Sequence, residues 1–223
     1  MAESGEEEAP GSKHRPAFLQ MLIARKIVTT DEARKAMETI CERCRVPVPD
    51  LSQFVRDINE GLKEIFMEIR TGVSEESGVV HYALVNTYED VAAKVAASYD
   101  RKLLTYFNKV MEMIVREGNG LASSTDLINA GQGIETPITN SDAKEALDLF
   151  TKDHWLYYDR TEGDYWVGTR SLIELKRHLR STFSDVITDC YMCRDIVIKG
   201  ELCDEKKMHH HCARRYVQTQ NRV

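Results

Sequence analysis

Four of the six cysteines and three consecutive histidines crowd into the last stretch of the chain. They form two pairs with metal-ligand spacing, Cys190-x2-Cys193 and His209-x2-Cys212, and Cys203 lies between the pairs. Thiolates and imidazoles at such spacings are what a tetrahedral zinc ion needs. A segment this short also has too little apolar surface to fold without a bound metal ion. The pattern therefore predicts a zinc site. The alternative is that these are ordinary reduced cysteines on a frayed tail.

The three histidines compete for one ligand position. His209 has the x2 spacing to Cys212, but His210 or His211 could take its place, and the two that remain are then solvated. Cys203 has no base that the sequence places beside it, so we interpret it as an orphaned thiol rather than a nucleophile.

A second C-x2-C pair, Cys41-Glu-Arg-Cys44, falls at the end of a predicted helix with no strand before it. The context of a thioredoxin-like redox motif is therefore absent. With no further ligand pair near it in sequence, this pair indicates packed or free thiols.

The composition excludes several classes of protein. The chain has 223 residues, 42% hydrophobic and 30% charged, which is typical of a soluble globular protein. No apolar run is long enough to cross a bilayer, and the acidic N-terminus is unlike a signal or transit peptide. Cysteines in x2 pairs favour reduced thiols and an intracellular location. The formal charge of −6 argues against strongly electrostatic binding of nucleic acid.

The order of predicted elements occurs twice. We predict that the acidic lead-in over residues 1–13 is disordered. The first series then consists of two helices, a third helix with an apolar stripe from Leu51 to Ile69, and a hairpin with a strand over Val79 to Val85. Three helices followed by a hairpin is the order of a winged-helix domain, here residues 14–88. A similar series over residues 95–184 includes a hairpin built from Trp155 to Val167 and ends in a helix from Ser171 to about Thr182.

Beyond this order of elements, the chain resembles a known family over nearly all of residues 14–218. That family is the RING-carrying non-SMC subunit of the SMC-type chromosome maintenance complex that acts in DNA repair. Besides the cysteine spacing, the residues that carry the resemblance are His14-Arg15 with Phe18-Leu-Gln20, Glu68-Ile69 with Gly72-Val73, Tyr82-Ala-Leu-Val-Asn86, Ala122-Ser-Ser-Thr125 and Trp155-Leu156.

The resemblance implies an α+β, mainly helical fold with tandem winged-helix domains followed by a small variant RING-like zinc module over residues 188–223. It also implies a nuclear location, docking of a MAGE-family partner among the other subunits of the complex, and a ubiquitin-ligase role shared with that partner. A RING has no covalent catalytic residue, because it positions a charged ubiquitin-conjugating enzyme. In RINGs an apolar residue just before the second cysteine contacts that enzyme, and Met192 occupies this place.

The chain departs from the RING pattern at its second zinc site. Carried over from the family, Cys190, Cys193, His209 and Cys212 complete the first site, while Cys203 is the remnant of the second. Lys206 stands where the partner of Cys203 should be, and the fourth ligand pair would fall just past the last residues given, ending at Val223. We therefore expect one zinc ion per chain.

Three functions remain open from the sequence: a subunit that supports ubiquitin transfer, a non-catalytic scaffold with a vestigial RING, and a winged-helix nucleic-acid binder. The charge of the third helix in each winged-helix domain argues against nucleic-acid binding. Residues 51–70 contain four acidic and three basic side chains, and residues 140–153 contain four acidic and two basic. Such helices repel phosphate, so direct DNA binding is expected to be weak. We interpret the apolar stripe from Leu51 to Ile69 either as core or in part as a docking face, and Trp155 as core.

Overall fold

A computed structural model describes residues 13–88, 99–117 and 119–220. Their contacts group into two units: the first runs to Thr71 and includes His81–Thr87, and the second comprises Gly72–Val80 and the chain from Tyr88 onward. The predicted lead-in over residues 1–13 lies outside the described residues except for Lys13, as does the predicted start of the second domain at residue 95. The three-domain division stays a prediction. Within the described part, no helix combines the length and apolar character that a membrane span requires.

The first series of elements has winged-helix order. The elements are α1 (His14–Arg25), β1 (Ile27–Thr29), α2 (Thr30–Cys44), α3 (Leu51–Leu62), β2 (Met67–Val73) and β3 (Val80–Asn86). The strands form one sheet in the order β1-β3-β2, and β1 pairs antiparallel with β3 so that Val28 lies opposite Tyr82. The short strand β1 extends the predicted hairpin into a three-stranded sheet.

Side-chain caps fix where two helices of the first unit begin. Thr29 accepts a hydrogen bond from the Glu32 amide, and the Glu32 carboxylate accepts one from the Thr29 amide, which completes the capping box of α2. Asp50 accepts hydrogen bonds from two amides in the first turn of α3. Together with α1, the two capped helices bury one apolar core, whose members include Phe18, Leu22, Met37, Cys41, Phe54 and Ile58.

The third helix is shorter than the apolar stripe predicts. It ends at Leu62, a short 3-10 turn follows, and Phe66 adopts a left-handed conformation with φ 55° before β2 begins. Asn59 explains the change, because its side-chain amide hydrogen-bonds both the N–H and the C=O of Ile69 and so holds the start of β2 against α3. Ile69 is therefore buried in a strand, while Ile65 and Phe66 are exposed at the turn.

The second unit contains the same order of elements again. These are α4 (Arg101–Glu112), β4 (Ala122–Ser123), α5 (Ser124–Ala130), α6 (Asn140–Lys152), β5 (Leu156–Tyr158) and β6 (Asp164–Val167). A π-helical turn, Met113–Glu117, follows α4 directly. The sheet order is β4-β6-β5, and the predicted hairpin forms with Tyr157 opposite Trp166. The expectation of a mainly helical α+β fold is confirmed.

Trp155 lies at the centre of the second unit's core, as the sequence predicts, and is 1% exposed. The Arg170 guanidinium stacks on its ring at 3.8 Å. Arg170 also donates hydrogen bonds to the Asp153 carbonyl and to the Glu174 carboxylate, at 2.9 and 2.6 Å. Because both charged side chains of the Arg170–Glu174 pair are largely buried, this ion pair is a structural element of the core. Tyr157, by contrast, lies on the outside of the hairpin.

The predicted last helix is two helices, because Leu175 interrupts it between α7 (Thr169–Glu174) and α8 (Lys176–Thr182). The cysteine-rich segment then folds into two small antiparallel hairpins and a helix. Its elements are β7 (Thr188–Asp189), β8 (Ile196–Val197), β9 (Glu201–Cys203), β10 (Lys206–Met208) and α9 (His210–Gln220).

Candidate metal centre

Four predicted ligands converge on one point in the cysteine-rich segment. The three Sγ atoms of Cys190, Cys193 and Cys212 and a ring nitrogen of His209 all lie within 4.8 Å of one another. Cys193 is exposed and the other three are buried. Atoms bound to one tetrahedral zinc ion at about 2.0–2.3 Å are about 3.3–3.8 Å apart, so four ligand atoms that all lie within 4.8 Å of one another can close onto one ion. This is the one group of at least three potential ligands with such spacing among the described residues.

The four ligands are positioned by a tight loop and by the start of a helix. The Cys190 amide donates to the Asp195 carbonyl at 2.7 Å and the Arg194 amide donates to the Cys190 carbonyl at 3.0 Å, which closes a tight loop between β7 and β8. Arg194 occupies the left-handed region with φ 61° and lets the chain reverse. At the other pair, His209 directly precedes α9 and Cys212 lies in its first turn. The x2 spacing therefore places both side chains on one side of the helix start.

His209 is oriented for metal binding through Nδ1. Its Nε2 lies 2.8 Å from the Ile196 carbonyl and donates to it, while Nδ1 lies 3.3 Å from the Cys193 Sγ and 3.9 Å from the Cys212 Sγ. A hydrogen bond of this kind at the second nitrogen commonly fixes the tautomer of a ligating histidine. Burial lowers the pKa of His209, which favours the neutral imidazole that a metal requires.

The other two histidines differ in their surroundings. His210 is partly exposed, with Nδ1 3.6 Å from a Glu201 carboxylate oxygen. His211 stacks parallel to His209 and places Nε2 3.3 Å from the Cys212 Sγ. The geometry therefore favours His209, leaves His211 beside the cluster and sets His210 outside it. The assignment of the ligands stays a prediction.

Without a cation between them, burial and mutual repulsion oppose the ionisation of all three thiols together. Burial, together with neighbouring thiols, raises the pKa of Cys212 to about 12, and burial likewise raises the pKa of Cys193. Burial acts in the same direction on Cys190, but hydrogen bonds from backbone groups of Cys193, His209 and Met192 outweigh it and hold the Cys190 pKa below its usual value. A cluster of three thiols and one neutral imidazole suits zinc, whose charge would stabilise the thiolates.

Glu75 supports the cluster from a distant part of the sequence. Its carboxylate, 5% exposed, accepts hydrogen bonds from the amides of Ile198 at 2.7 Å and Lys199 at 3.2 Å. One of its oxygens also lies 3.6 Å from Nε2 of His209, and its carbonyl lies 3.2 Å from Nδ1 of His211. Burial raises the pKa of Glu75 to about 7, although the two amide hydrogen bonds act to lower it. No local pattern in the sequence identifies Glu75, because 123 residues separate it from Ile198.

The second zinc site of the RING pattern keeps only Cys203 among the described residues. Cys203 and Lys206 lie opposite each other across the β9–β10 turn, so Lys206 occupies the place of the second ligand. A lysine ammonium has three donors and no acceptor and cannot bind a metal ion. Cys203 is a partly buried free thiol. The sequence pattern identified this substitution, but it did not identify the tyrosines that surround Lys206.

Met192 and the Cys41–Cys44 pair, which the sequence also singled out, lie outside the ligand cluster. Met192 is 42% exposed and lies in the loop between two ligands, so its side chain is available to a partner. Cys41 is buried in the core of the first unit, where burial raises the pKa of its thiol, and Cys44 is a partly exposed free thiol. The structure therefore agrees with packed and free thiols at this pair.

Comparison with known proteins gives a consistent result along the chain. A family model described as the Nse1 non-SMC component of the SMC5-6 complex matches residues 14–135, and a RING-like domain model matches residues 190–223. The non-structural maintenance of chromosomes element 1 homolog of Xenopus laevis is 32% identical over 204 residues, which are 89% of this chain and 75% of that protein. The Homo sapiens homolog is 28% identical over 91% of this chain and 77% of its own length. A solved chain of an Nse1-Nse3-Nse4 complex superposes with a TM-score of 0.84 at 31% identity, covering 93% of this chain and 91% of that one.

Proposed function

Because the chain belongs to the Nse1 family of non-SMC components of the SMC5-6 complex, we propose that it docks a MAGE-family subunit through its winged helices and supports ubiquitin transfer through its RING-like module. The solved relative is part of an assembly with Nse3 and Nse4, and we extend those partners to this chain. Its role is then in DNA repair, in the nucleus.

A single structural zinc ion would hold the RING-like module together. Cys190, Cys193, His209 and Cys212 are its ligands in this proposal, and all four positions of a tetrahedral ion are then filled by protein. With no position left for water, the ion would act through folding and not through Lewis-acid chemistry. The module contributes a shaped surface, and no residue of it forms a covalent intermediate.

The observation that carries the ubiquitin-transfer proposal is the exposure of Met192 within the ligand loop. An apolar side chain that is 42% exposed and fixed between two metal ligands is a rigid contact point for a conjugating enzyme. Tyr191 beside it is also 40% exposed. The rate gain would come from positioning the loaded enzyme, which is an effect of proximity and orientation.

Lys206 favours a second candidate, a non-catalytic scaffold whose RING-like module only bridges proteins. Without a second metal ion the surface that receives the conjugating enzyme would have a different shape. Direct binding of DNA by the third helix of each series is a weaker candidate. Residues 51–70 carry four acidic and three basic side chains and residues 140–153 carry four acidic and two basic, so both segments repel phosphate.

The deciding experiment is a ubiquitination assay with the purified chain, a MAGE-family partner and a panel of conjugating enzymes. We expect Met192→Asp to abolish chain formation while leaving partner binding and zinc content intact. Leu202→Asp is the matched control, because Leu202 is 74% exposed in the same module but outside the ligand loop. Activity of Met192→Asp equal to that of Leu202→Asp would refute the role of Met192. No activity in any protein would favour the scaffold.

Nuclear location and partner docking have separate tests. We expect a fluorescently tagged chain to accumulate in the nucleus and to co-purify with Nse3-like and Nse4-like subunits. A cytoplasmic signal, or isolation of the chain without those subunits, would contradict this part of the proposal.

A further inference from the structure

We infer that the ammonium group of Lys206, seated between two tyrosine rings, takes the place of the second zinc ion in the RING-like module. This inference extends the proposed function, because it starts from one zinc ion in the first site. It concerns the part of the module where the residues do not fit the metal that the family pattern implies.

The position of Lys206 is the position of a ligand. Cys203 and Lys206 face each other across a turn whose two central residues, Asp204 and Glu205, both adopt positive φ, 49° and 62°. A C-x2-C pair across such a turn would aim two sulfur atoms at one ion. Here the second side chain ends in a fixed positive charge, which repels a divalent cation instead of binding it.

Two aromatic rings surround the ammonium group. The Lys206 Nζ lies 4.3 Å from the ring centre of Tyr191 and 5.5 Å from that of Tyr216. It is also 3.4 Å from the Tyr216 hydroxyl, which in turn donates to an Asp204 carboxylate oxygen at 3.4 Å. The rings of Tyr191 and Tyr216 meet nearly at right angles, with centroids 6.2 Å apart. Both distances from the cation are within the range of a cation–π interaction.

The cluster joins three parts of the module to one another. Tyr191 comes from the loop that carries Cys190 and Cys193, Lys206 from β10, and Tyr216 from α9. The Tyr191 amide further donates to the carbonyl of Lys207, next to Lys206, at 3.1 Å. One organic cation therefore connects the ligand loop, the hairpin and the helix without a metal ion.

The first test measures metal content and stability together on the full chain. We expect one zinc ion per chain by elemental analysis, and we expect Lys206→Met to keep that ion but to lower the midpoint of thermal unfolding by several degrees. Lys144→Met is the control, because Lys144 is an exposed lysine of α6 in the same unit. Two zinc ions in the wild-type chain, or equal midpoints for the two variants, would overturn the inference.

The second test reads the cation–π contact directly by NMR. The rings should shift the ε-methylene protons of Lys206 upfield of ordinary lysine values; Tyr216→Phe should keep most of this shift and Tyr216→Leu should reduce it. Unshifted protons in the wild-type chain would overturn the inference. Because this measurement needs no metal count, it still decides the role of Lys206 if no zinc is found, a result that would instead refute the zinc ion of the proposed function.

Discussion

Removal of the Glu75 side chain should destabilise the candidate metal centre far more than removal of its neighbour Glu76. In Glu75→Ala, the amides of Ile198 and Lys199 lose their acceptor. The Ile198 amide is buried and the Lys199 amide is partly buried, and a buried donor left unsatisfied costs about 1–3 kcal/mol. Part of this loss is offset, because a carboxylate whose pKa burial raises to about 7 already carries a desolvation cost in the fold. We therefore expect a loss of about 3 kcal/mol in the free energy of unfolding of the second unit.

The assay is urea denaturation of the zinc-loaded chain, with the rate of zinc transfer to a chromogenic chelator as a second readout. Glu76→Ala is the matched control. Glu76 lies in the same turn and pairs with the Lys199 ammonium at 2.7 Å, but it is half exposed, and surface pairs contribute about 0–1 kcal/mol. Glu75→Ala should also release zinc faster, because Glu75 contacts His209. A difference between the two variants below about 0.5 kcal/mol would refute the reasoning.

Three further predictions concern other parts of the chain. Arg170→Met should lower the free energy of unfolding by about 3 kcal/mol in chemical denaturation, because it leaves a buried carboxylate unpaired; a loss below about 1 kcal/mol would contradict the importance of this pair. His209→Ala should lose zinc in elemental analysis while His210→Ala keeps it, and the reverse result would reassign the ligand. Hydrogen bonds from Thr29 hold the pKa of Glu32 below its ordinary value of 4.5. The stability that Glu32 contributes is therefore present above that pH and lost as the pH falls through the lower folded value, so Glu32→Gln should flatten the acid side of the stability curve. A curve parallel to that of the wild type would contradict this.

Features that depend on neighbours in sequence could be predicted. The capping box at Thr29 and the cap at Asp50 each need residues two or three positions apart, and both occur in the structure. The cysteine spacing works in the same way, because a tight turn brings the two members of an x2 pair together whatever surrounds them. The repeated order of helices and hairpin follows from apolar periodicity, which also depends on local sequence.

Features decided by distant contacts could not be predicted. The apolar stripe continues past Leu62, yet the helix ends there because Asn59 and the neighbouring strand offer the backbone of Ile69 better hydrogen bonds. Glu75 looks like an ordinary acidic turn residue until the fold places it against Ile198. The tyrosines around Lys206 are likewise 15 positions before it and 10 after it, at spacings that no ligand motif contains.

The turn that carries Glu75 has a consequence for how the molecule can be divided. A fragment that starts at residue 188 would contain the four ligands but would lack the acceptor for the Ile198 and Lys199 amides. During synthesis the cysteine-rich segment emerges after the turn that carries Glu75 and must close onto it across more than a hundred residues, which is a contact of high sequence separation and slow to form. When the RING-like module is exchanged between relatives, residues 72–80 should therefore be exchanged together with residues 188–223.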